Sequence, residues 1–427
     1  MSGPLRIGLF GCGTVGGGVV DILTSRVGYL RSVGVDATVA KVCVRNTKNP
    51  ALVALLQGHA TTVSSNYDDI LEDPSINCVI ELMGGVTDAK DVVFKAIAKN
   101  KHVITANKAL IANFMPDITA LLTAHPSVRF GYEASVCGGI PIIHTLQSSY
   151  TGDGLTEIAG IMNGTTNYML SKMEKEGASY DAVLKEAQDL GFAEANPSAD
   201  VDGFDVQAKI AILAKLGFGV HVPPATIPTT GITRIKTVDF EYAKLMGATI
   251  KLLGIAKATS ADAVAVFVSP VIVPTTNVIG TVHGASNIVN IVSANCINGA
   301  YVGQGAGRFP TANSVVNDIV RLGQGVVPSP AFGSTREQVK IENDYAGRFY
   351  VRVRLNDGLG IVRSIGTHAE EAGISIDSIL QLPITDRNNV DTVVTTDVAK
   401  VSQVQRMCDA LAKLSFVQEP PLFLPIL

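Results

Sequence analysis

The stretch GFAEANPSADVDGFDVQAKIAIL, Gly191 to Leu213, carries four acids (Glu194, Asp200, Asp202 and Asp205) and one lysine (Lys209) into a run that ends wholly apolar. After Asp202 and Gly203, the residues Phe204, Val206, Ala208, Ile210, Ala211, Ile212 and Leu213 leave no polar face, which predicts a buried helix. Asp205 and Lys209, four apart, share one side of it. A lysine and carboxylates so placed could move a proton or hold a charged ligand. The plainer alternative is an acid cluster at a helix start with an ordinary ion pair one turn on, and the window alone leaves both readings open.

A second set of residues opens the chain. From Leu5, LRIGLFGCGTVGGGVVDIL reads as a short buried strand, a glycine turn and a helix starting near Thr14, the beginning of a βαβ unit. Gly11, Gly13 and Gly16 satisfy GxGxxG: the first permits the tight turn, the second a close approach of backbone to a pyrophosphate, the third the packing of helix on strand. With Thr14 and Val15 following, this turn is expected to bind a dinucleotide. The next strand, TVAKVCVRN, ends in Arg45 with Lys48 close by, where an NAD site usually carries Asp or Glu for the ribose 2′-hydroxyl. A guanidinium suits a 2′-phosphate, so NADP is the expected cofactor and NAD the alternative. The bland reading of Arg45 is a solvated charge at a strand end. Two further buried strands, in NCVIELMGG and KHVITANKAL, end in loops bearing Gly84, Gly85, Asn107 and Lys108, and strand C-terminal ends are where open α/β sheets bind ligands.

A length of 427 residues fits two or three domains. With 47% hydrophobic residues, 41 glycines and only 17% charged ones, the composition is that of an α/β enzyme rather than a disordered or fibrous chain. The net charge of -4 and pI near 6.0 offer no basic footprint, so neither nucleic acid nor a membrane surface is an expected partner. Six cysteines lie scattered without a CxxC pair and read as small buried hydrophobes of a reducing compartment. With no signal-peptide pattern and no apolar run of about 18 residues, the expectation is a soluble cytoplasmic protein, or a plastid one whose transit peptide has been trimmed.

These elements predict an α/β chain. A Rossmann domain is expected over 1–130, with a returning segment near 305–325, where GQGAGRFPTANSVVNDIVRL reads as a glycine loop and a helix. From Gly131 the texture changes to a glycine-rich loop, a strand–turn–helix in EIAGIMNGTTNYMLSKM, and the strand-like AVAVFVSPVIVP, which predict a mixed sheet and an α+β substrate and dimerisation domain over 131–304. A polar Pro/Ser-containing linker is expected over 326–345. Over 346–427 the period changes again, and the order βαββαβ predicts a ferredoxin-like unit, with VQEPPLFLPIL as a final edge strand.

In this order, GCGTVGGGV, VITANKAL, YEASVCGGIPII, IMNGTTNYML, GFAEANPSADVDGFDVQAKIAIL and GAGRFPTANSVVNDI make the whole chain resemble homoserine dehydrogenase with a C-terminal ACT domain. Enzymes of that family interconvert aspartate 4-semialdehyde and homoserine with NAD(P)H. The resemblance implies that Lys209 gives and takes the proton at the substrate oxygen, that Glu194 and Asp205 bind the amino-acid end of homoserine, and that Asp200 supports the lysine. Gly164 and Thr165 join the substrate residues. Lys108 matches a second active-site lysine near nicotinamide and substrate, and the sequence leaves open which lysine delivers the proton. Gly191 and Gly307 join the expected dinucleotide contacts. Glu133, Val136, Gly138 and Ile140 match a monovalent-cation site, usually sodium, largely through backbone oxygens; a structural hinge loop is the alternative. The ACT unit implies a homodimer or homotetramer that senses an amino acid, threonine above all, at the loop bearing Asn356, Asp357, Gly358 and Gly360. It also implies that a cut near Asn343 leaves a stable, active dehydrogenase.

Two residues depart from the family pattern. Cys137 stands where alanine is common, and Arg308 where a small residue is common, putting an extra cation near the expected dinucleotide. Cys137 motivates one rival reading, a semialdehyde dehydrogenase with a thiol nucleophile, which needs a base beside the thiol, and His144 is the nearest histidine. The other rival is a catalytically silent NADP-sensing regulator, against which the joint presence of Glu194, Asp205 and Lys209 argues.

Overall fold

The computed structural model describes residues 3–427, which divide into two compact units, one of residues up to 155, 208–226 and 292–338, the other of 156–207, 227–291 and 339–427. In the first, β1 (Leu5–Phe10), α1 (Thr14–Ser25), β2 (Ala37–Cys43), β3 (Thr62–Ser64), β4 (Cys78–Glu81), α2 (Thr87–Ala98), β5 (His102–Thr105), α3 (Lys108–Ala124), β6 (Phe130–Gly131) and α4 (Ile142–Ser148) follow one another. The strands pair in parallel in the order β3-β2-β1-β4-β5-β6. The order reverses beside β1, so the C-terminal ends of β1 and β4 flank the crevice where such sheets take a dinucleotide. Leu5, Ile7 and Leu9 of β1 lie in the same apolar core as Val19 and Leu23 of α1 and Val315 and Ile319 of the helix Arg308–Gly323. That helix approaches α1 closely because Gly18 has no side chain: a Cβ there would stand 2.9 Å from the Cβ of Ala312.

The second unit contains β7 (Leu155–Ile161), α5 (Gly164–Glu176), α6 (Ser198–Val201), the start of α7 (Phe204–Phe218), α8 (Thr237–Leu245), β8 (Ala248–Ser260), β9 (Ala263–Pro274), β10 (Ser286–Ser293), β11 (Ala346–Leu355), α9 (Ile361–Glu371), β12 (Ile376–Gln381), β13 (Val390–Thr396), α10 (Val401–Leu411) and β14 (Leu422–Ile426). Its sheet runs β10-β7-β8-β9-β14-β11-β13-β12. The last four strands are antiparallel, and β14 joins β9 in parallel through Ile426 and Ile272. The closing strand is therefore interior to the sheet and not the edge expected of it. Its Leu422 and Leu424 are buried, whereas an edge strand would leave one row of backbone groups for solvent. One apolar cluster runs through the whole unit, with Phe267 of β9 stacked on Tyr345 at 4.4 Å between ring centroids. Among the described residues no helix is long and apolar enough to cross a membrane.

The helix expected after Gly203 forms, and Val206, Ile210, Ile212 and Leu213 are shut from solvent. Phe204, read as part of its buried face, is 51% exposed: it is the first residue of the helix and precedes the buried stripe. Cysteine burial is also uneven, since Cys296 is exposed and Cys12 half-buried, while Cys43, Cys78, Cys137 and Cys408 are buried.

Candidate active site

In the first unit a cavity of about 690 Å³ opens at the strand ends, lined among others by Gly11, Gly13, Arg45, Tyr67, Met83 and Asp88. The glycine turn is built for close backbone contact. Gly11 takes φ +85, and a Cβ on it would stand 2.5 Å from the Leu82 carbonyl oxygen; one on Gly16 would stand 2.2 Å from the Gly11 oxygen. Gly13 instead faces open space. The N-terminus of α1, with Thr14 and Val15, begins immediately after it, and unpaired helix N–H groups attract phosphate. No acid stands at the end of β2; Arg45 lines the cavity in its place. Gly307, at φ +120, caps the helix Arg308–Gly323. The Arg308 guanidinium pairs with Asp21 at 2.8 Å and lies over Gly17, so this unusual cation is held by a carboxylate of α1. Burial pushes the Cys12 and Cys43 thiols, which also line the cavity, up to about 11, leaving no thiolate there at neutral pH.

Lys108 is the first residue of α3, and the backbone before it is fixed by a network the sequence reading missed. Glu81, wholly buried at the end of β4, accepts from Thr105 Oγ1 at 2.7 Å and from the Met83 N–H at 2.8 Å. Thr105 accepts from the Asn107 N–H at 3.0 Å, and Asn107 caps α3 by accepting from the Leu110 N–H. Burial raises the Glu81 carboxyl above its ordinary range against these hydrogen bonds. The signal for it in the sequence is a lone acid inside the apolar strand CVIE.

Glu133 is buried, and its carboxylate accepts from the Ile143 and His144 N–H groups at 3.0 and 2.6 Å, at the start of α4. His144 bridges Glu133 and Asp318, at 3.1 and 2.8 Å. The loop that follows turns sharply, with Cys137 at φ +51 and Gly138 at φ +30, and the Gly138 carbonyl accepts from Ser314 Oγ at 2.6 Å. Val136 and Ile140 are buried in the same loop. Cys137 is also fully buried and His144 is engaged by two carboxylates, which disfavours the thiol-nucleophile reading. Among the described residues no group of three or more His, Cys, Asp or Glu could hold a metal ion.

In the second unit two of the four acids of the opening stretch, Asp200 and Asp205, converge on a residue outside it. Asn163, 5% exposed, donates through Nδ2 to Asp200 Oδ1 at 2.6 Å and to Asp205 Oδ2 at 2.9 Å. Gly164 follows as the first residue of α5, and a Cβ on it would stand 2.7 Å from the Ala285 oxygen. Thr165, buried, donates to the Phe192 carbonyl at 2.8 Å. Glu194 stands exposed, its carbonyl accepting from Gln188 Nε2, and Gly191 is exposed at φ +76. The structure thus brings Asp200 and Asp205 together and keeps Glu194 on the surface. On α7, Lys209 follows Asp205 by one turn and is 7% exposed.

The sequence matches two family models, described as homoserine dehydrogenase over residues 141–320 and as the NAD-binding domain of homoserine dehydrogenase over residues 11–129. It is 37% identical to the homoserine dehydrogenase of Bacillus subtilis, with 97% of this chain and 96% of that one covered, and 38% identical to that of Synechocystis, with 99% of each covered. A crystal structure of a homoserine dehydrogenase from Thiobacillus denitrificans superposes with a TM-score of 0.91 at 34% identity, covering 99% of this chain and 98% of that one.

Proposed function

We propose residue roles for a chain that belongs to the homoserine dehydrogenase family and is thus an NAD(P)-dependent oxidoreductase acting on a CH–OH group. The reaction is the reversible reduction of L-aspartate 4-semialdehyde to L-homoserine, a step toward threonine and methionine. When bound, the nicotinamide supplies or accepts the hydride. The cavity fits such a cofactor, since Gly13 leaves room for a diphosphate against the start of α1 and Arg45 lines the wall where an acid would repel a 2′-phosphate. NADP is therefore the preferred form.

Lys209 holds the proton at Nζ, gives it to the substrate oxygen as the aldehyde is reduced, and offsets the negative charge developing there. Asp205 and Glu194 hold the substrate ammonium, Asp200 supports the lysine, and Gly164 and Thr165 shape the surrounding backbone. Lys108 steadies the reacting end. The observation that carries this reading is the buried lysine one turn after an acid that is itself tied to a second acid. The direct test is NADPH oxidation that depends on added semialdehyde, with its reverse on homoserine. A silent regulator would bind NADPH and turn over neither.

A sodium ion would be held at Glu133, Val136, Gly138 and Ile140, largely through backbone oxygens; the Glu133 carboxylate already accepts two N–H groups, and the Gly138 and Ile140 oxygens, which accept from Ser314 Oγ and the Ile142 N–H, would share the ion with those donors. The segment 346–427 is read as a ferredoxin-like ACT unit, supported by its βαββαβ order and its antiparallel β14-β11-β13-β12 arrangement. Threonine would bind at the loop of Asn356, Asp357, Gly358 and Gly360, the last at φ +85 before α9, in a homodimer or homotetramer.

A further inference from the structure

We infer that Asn163 is a positioning residue that sets the spacing and the charge of the Asp200–Asp205 pair. The orientation of its amide is forced by its partners. The Thr166 N–H can only donate, so the oxygen facing it at 2.9 Å is Oδ1; the carboxylates can only accept, so the atom facing both is Nδ2. Both Nδ2 hydrogens are spent on the two acids, one on each. Oδ1 meanwhile caps α5 and also accepts from Thr166 Oγ1 at 3.0 Å. One nearly buried side chain thus fixes the start of a helix and the separation of two like charges that arrive from α6 and α7.

Two carboxylates drawn to one nitrogen repel each other, and in a half-buried setting one of them would tend to take up a proton. Hydrogen bonds to the charged form oppose that. Asn163 therefore favours the charged form of both acids, alongside the Lys209 cation one turn on from Asp205, and holds them in register to receive an ammonium group. Gly203, at φ +88, makes the turn between α6 and α7, and the Gly203 N–H bonds to the Asp200 carbonyl at 3.0 Å, so the backbone delivers the acids and the amide completes their alignment.

The inference rests on Asp205 binding the substrate ammonium and Asp200 supporting Lys209. Its test uses the full-length enzyme and three variants. Asn163→Ser keeps a side-chain oxygen for the helix cap but lacks the two-pronged donor. Asn163→Asp is isosteric, keeps the cap, and replaces the donor by a third carboxylate. Both are expected to raise KM for homoserine about tenfold, with KM for NADP unchanged, and to move the acid limb of kcat/KM to higher pH, the aspartate variant further. A residue that only capped a helix would lower the melting temperature and leave that limb in place. Wild-type KM and pH limb in both variants overturn the inference. Asp205→Asn, run alongside, separates the two failures: if it is impaired while the Asn163 variants are not, only the role of Asn163 falls, and if it too behaves as wild type, the assignment of the acids falls with it.

Discussion

The Arg352 guanidinium lies 3.2 Å from the Asp239 carboxylate, and the two side chains are 2% and 0% exposed. Arg352 comes from β11 and Asp239 from the first turn of α8, so the pair joins the C-terminal strands to the helix that precedes β8. Tyr350 donates to the same carboxylate at 2.7 Å, and Arg352 Nη2 donates to the Arg234 carbonyl at 3.1 Å. A buried pair of this kind is weak evidence for stability in itself, but removing one member strands the other. Arg352→Met should therefore cost about 3–5 kcal/mol in denaturant unfolding. A loss under about 1 kcal/mol would mean that water reaches Asp239 freely.

The same arrangement bears on the C-terminal unit as a detachable module. A cut near Asn343 removes β14 from its place beside β9, and takes Tyr345 and Phe349 out of the core they share with Phe267 and Val271. A truncated chain ending there is expected to be insoluble or to unfold well below the full-length protein, instead of persisting as an independent dehydrogenase. A soluble, active fragment with a normal melting curve would show that the shared sheet is dispensable. The sensing proposal has its own test: millimolar threonine should change the rate or oligomeric state of the intact enzyme, and no response sinks it.

Lys251 sets a pH dependence. It is fully buried on β8, donates to His283 Nδ1 at 3.3 Å, and burial lowers its ammonium to about 8. The folded protein then binds fewer protons than the unfolded chain between about pH 8 and the ordinary lysine value near 10.5. The burial cost is present in full below pH 8 and fades as pH rises through that window. Lys251→Met should raise the melting temperature at pH 7, from a relief on the order of 3 kcal/mol, and the gap should narrow toward pH 10. A gap that stays constant with pH would assign the effect to packing alone.

Arg45 should discriminate between cofactors. Its guanidinium lines the cavity at the end of β2, and the phosphate it would meet exists only on NADPH. Arg45→Ala is expected to weaken NADPH by at least tenfold and NADH hardly at all, read by fluorescence titration. Equal losses for both would make Arg45 a surface charge.

What the sequence made legible follows a physical rule. The turn at Gly11 to Gly16 can be read because Gly11 must take a positive φ and Gly16 must clear the Gly11 carbonyl, demands set within the turn itself, and the order of the C-terminal strands and helices because their hydrophobic period changes from strand to helix and back. The interior place of β14 could not be read, since nothing local in LFLPI selects β9 as its neighbour. Asn163 escaped for the same reason: its partners lie 37 and 42 positions away, and its only local signal is a helix cap. Glu194 stands out in the sequence as an acid near a core helix, but its exposed place on the loop before α6, beside Gln188, is not something spacing reveals.

The two lysines can be set against each other. Lys209 is nearly buried on α7, while Lys108 begins α3 in a half-buried position behind the Glu81–Thr105–Asn107 network. If Lys209 moves the proton, Lys209→Met should fold normally, bind NADPH normally and lose about a hundredfold or more in kcat, the scale usual for a general acid–base group. Lys108→Met should then lose less in kcat and show more of its effect in KM, as expected of a group that steadies the bound state. Single-turnover rates for both variants, each with its NADPH affinity, give the comparison. The reverse order, with Lys108→Met nearly dead and Lys209→Met turning over well, would move the proton to the start of α3 and leave Lys209 as a fixed charge.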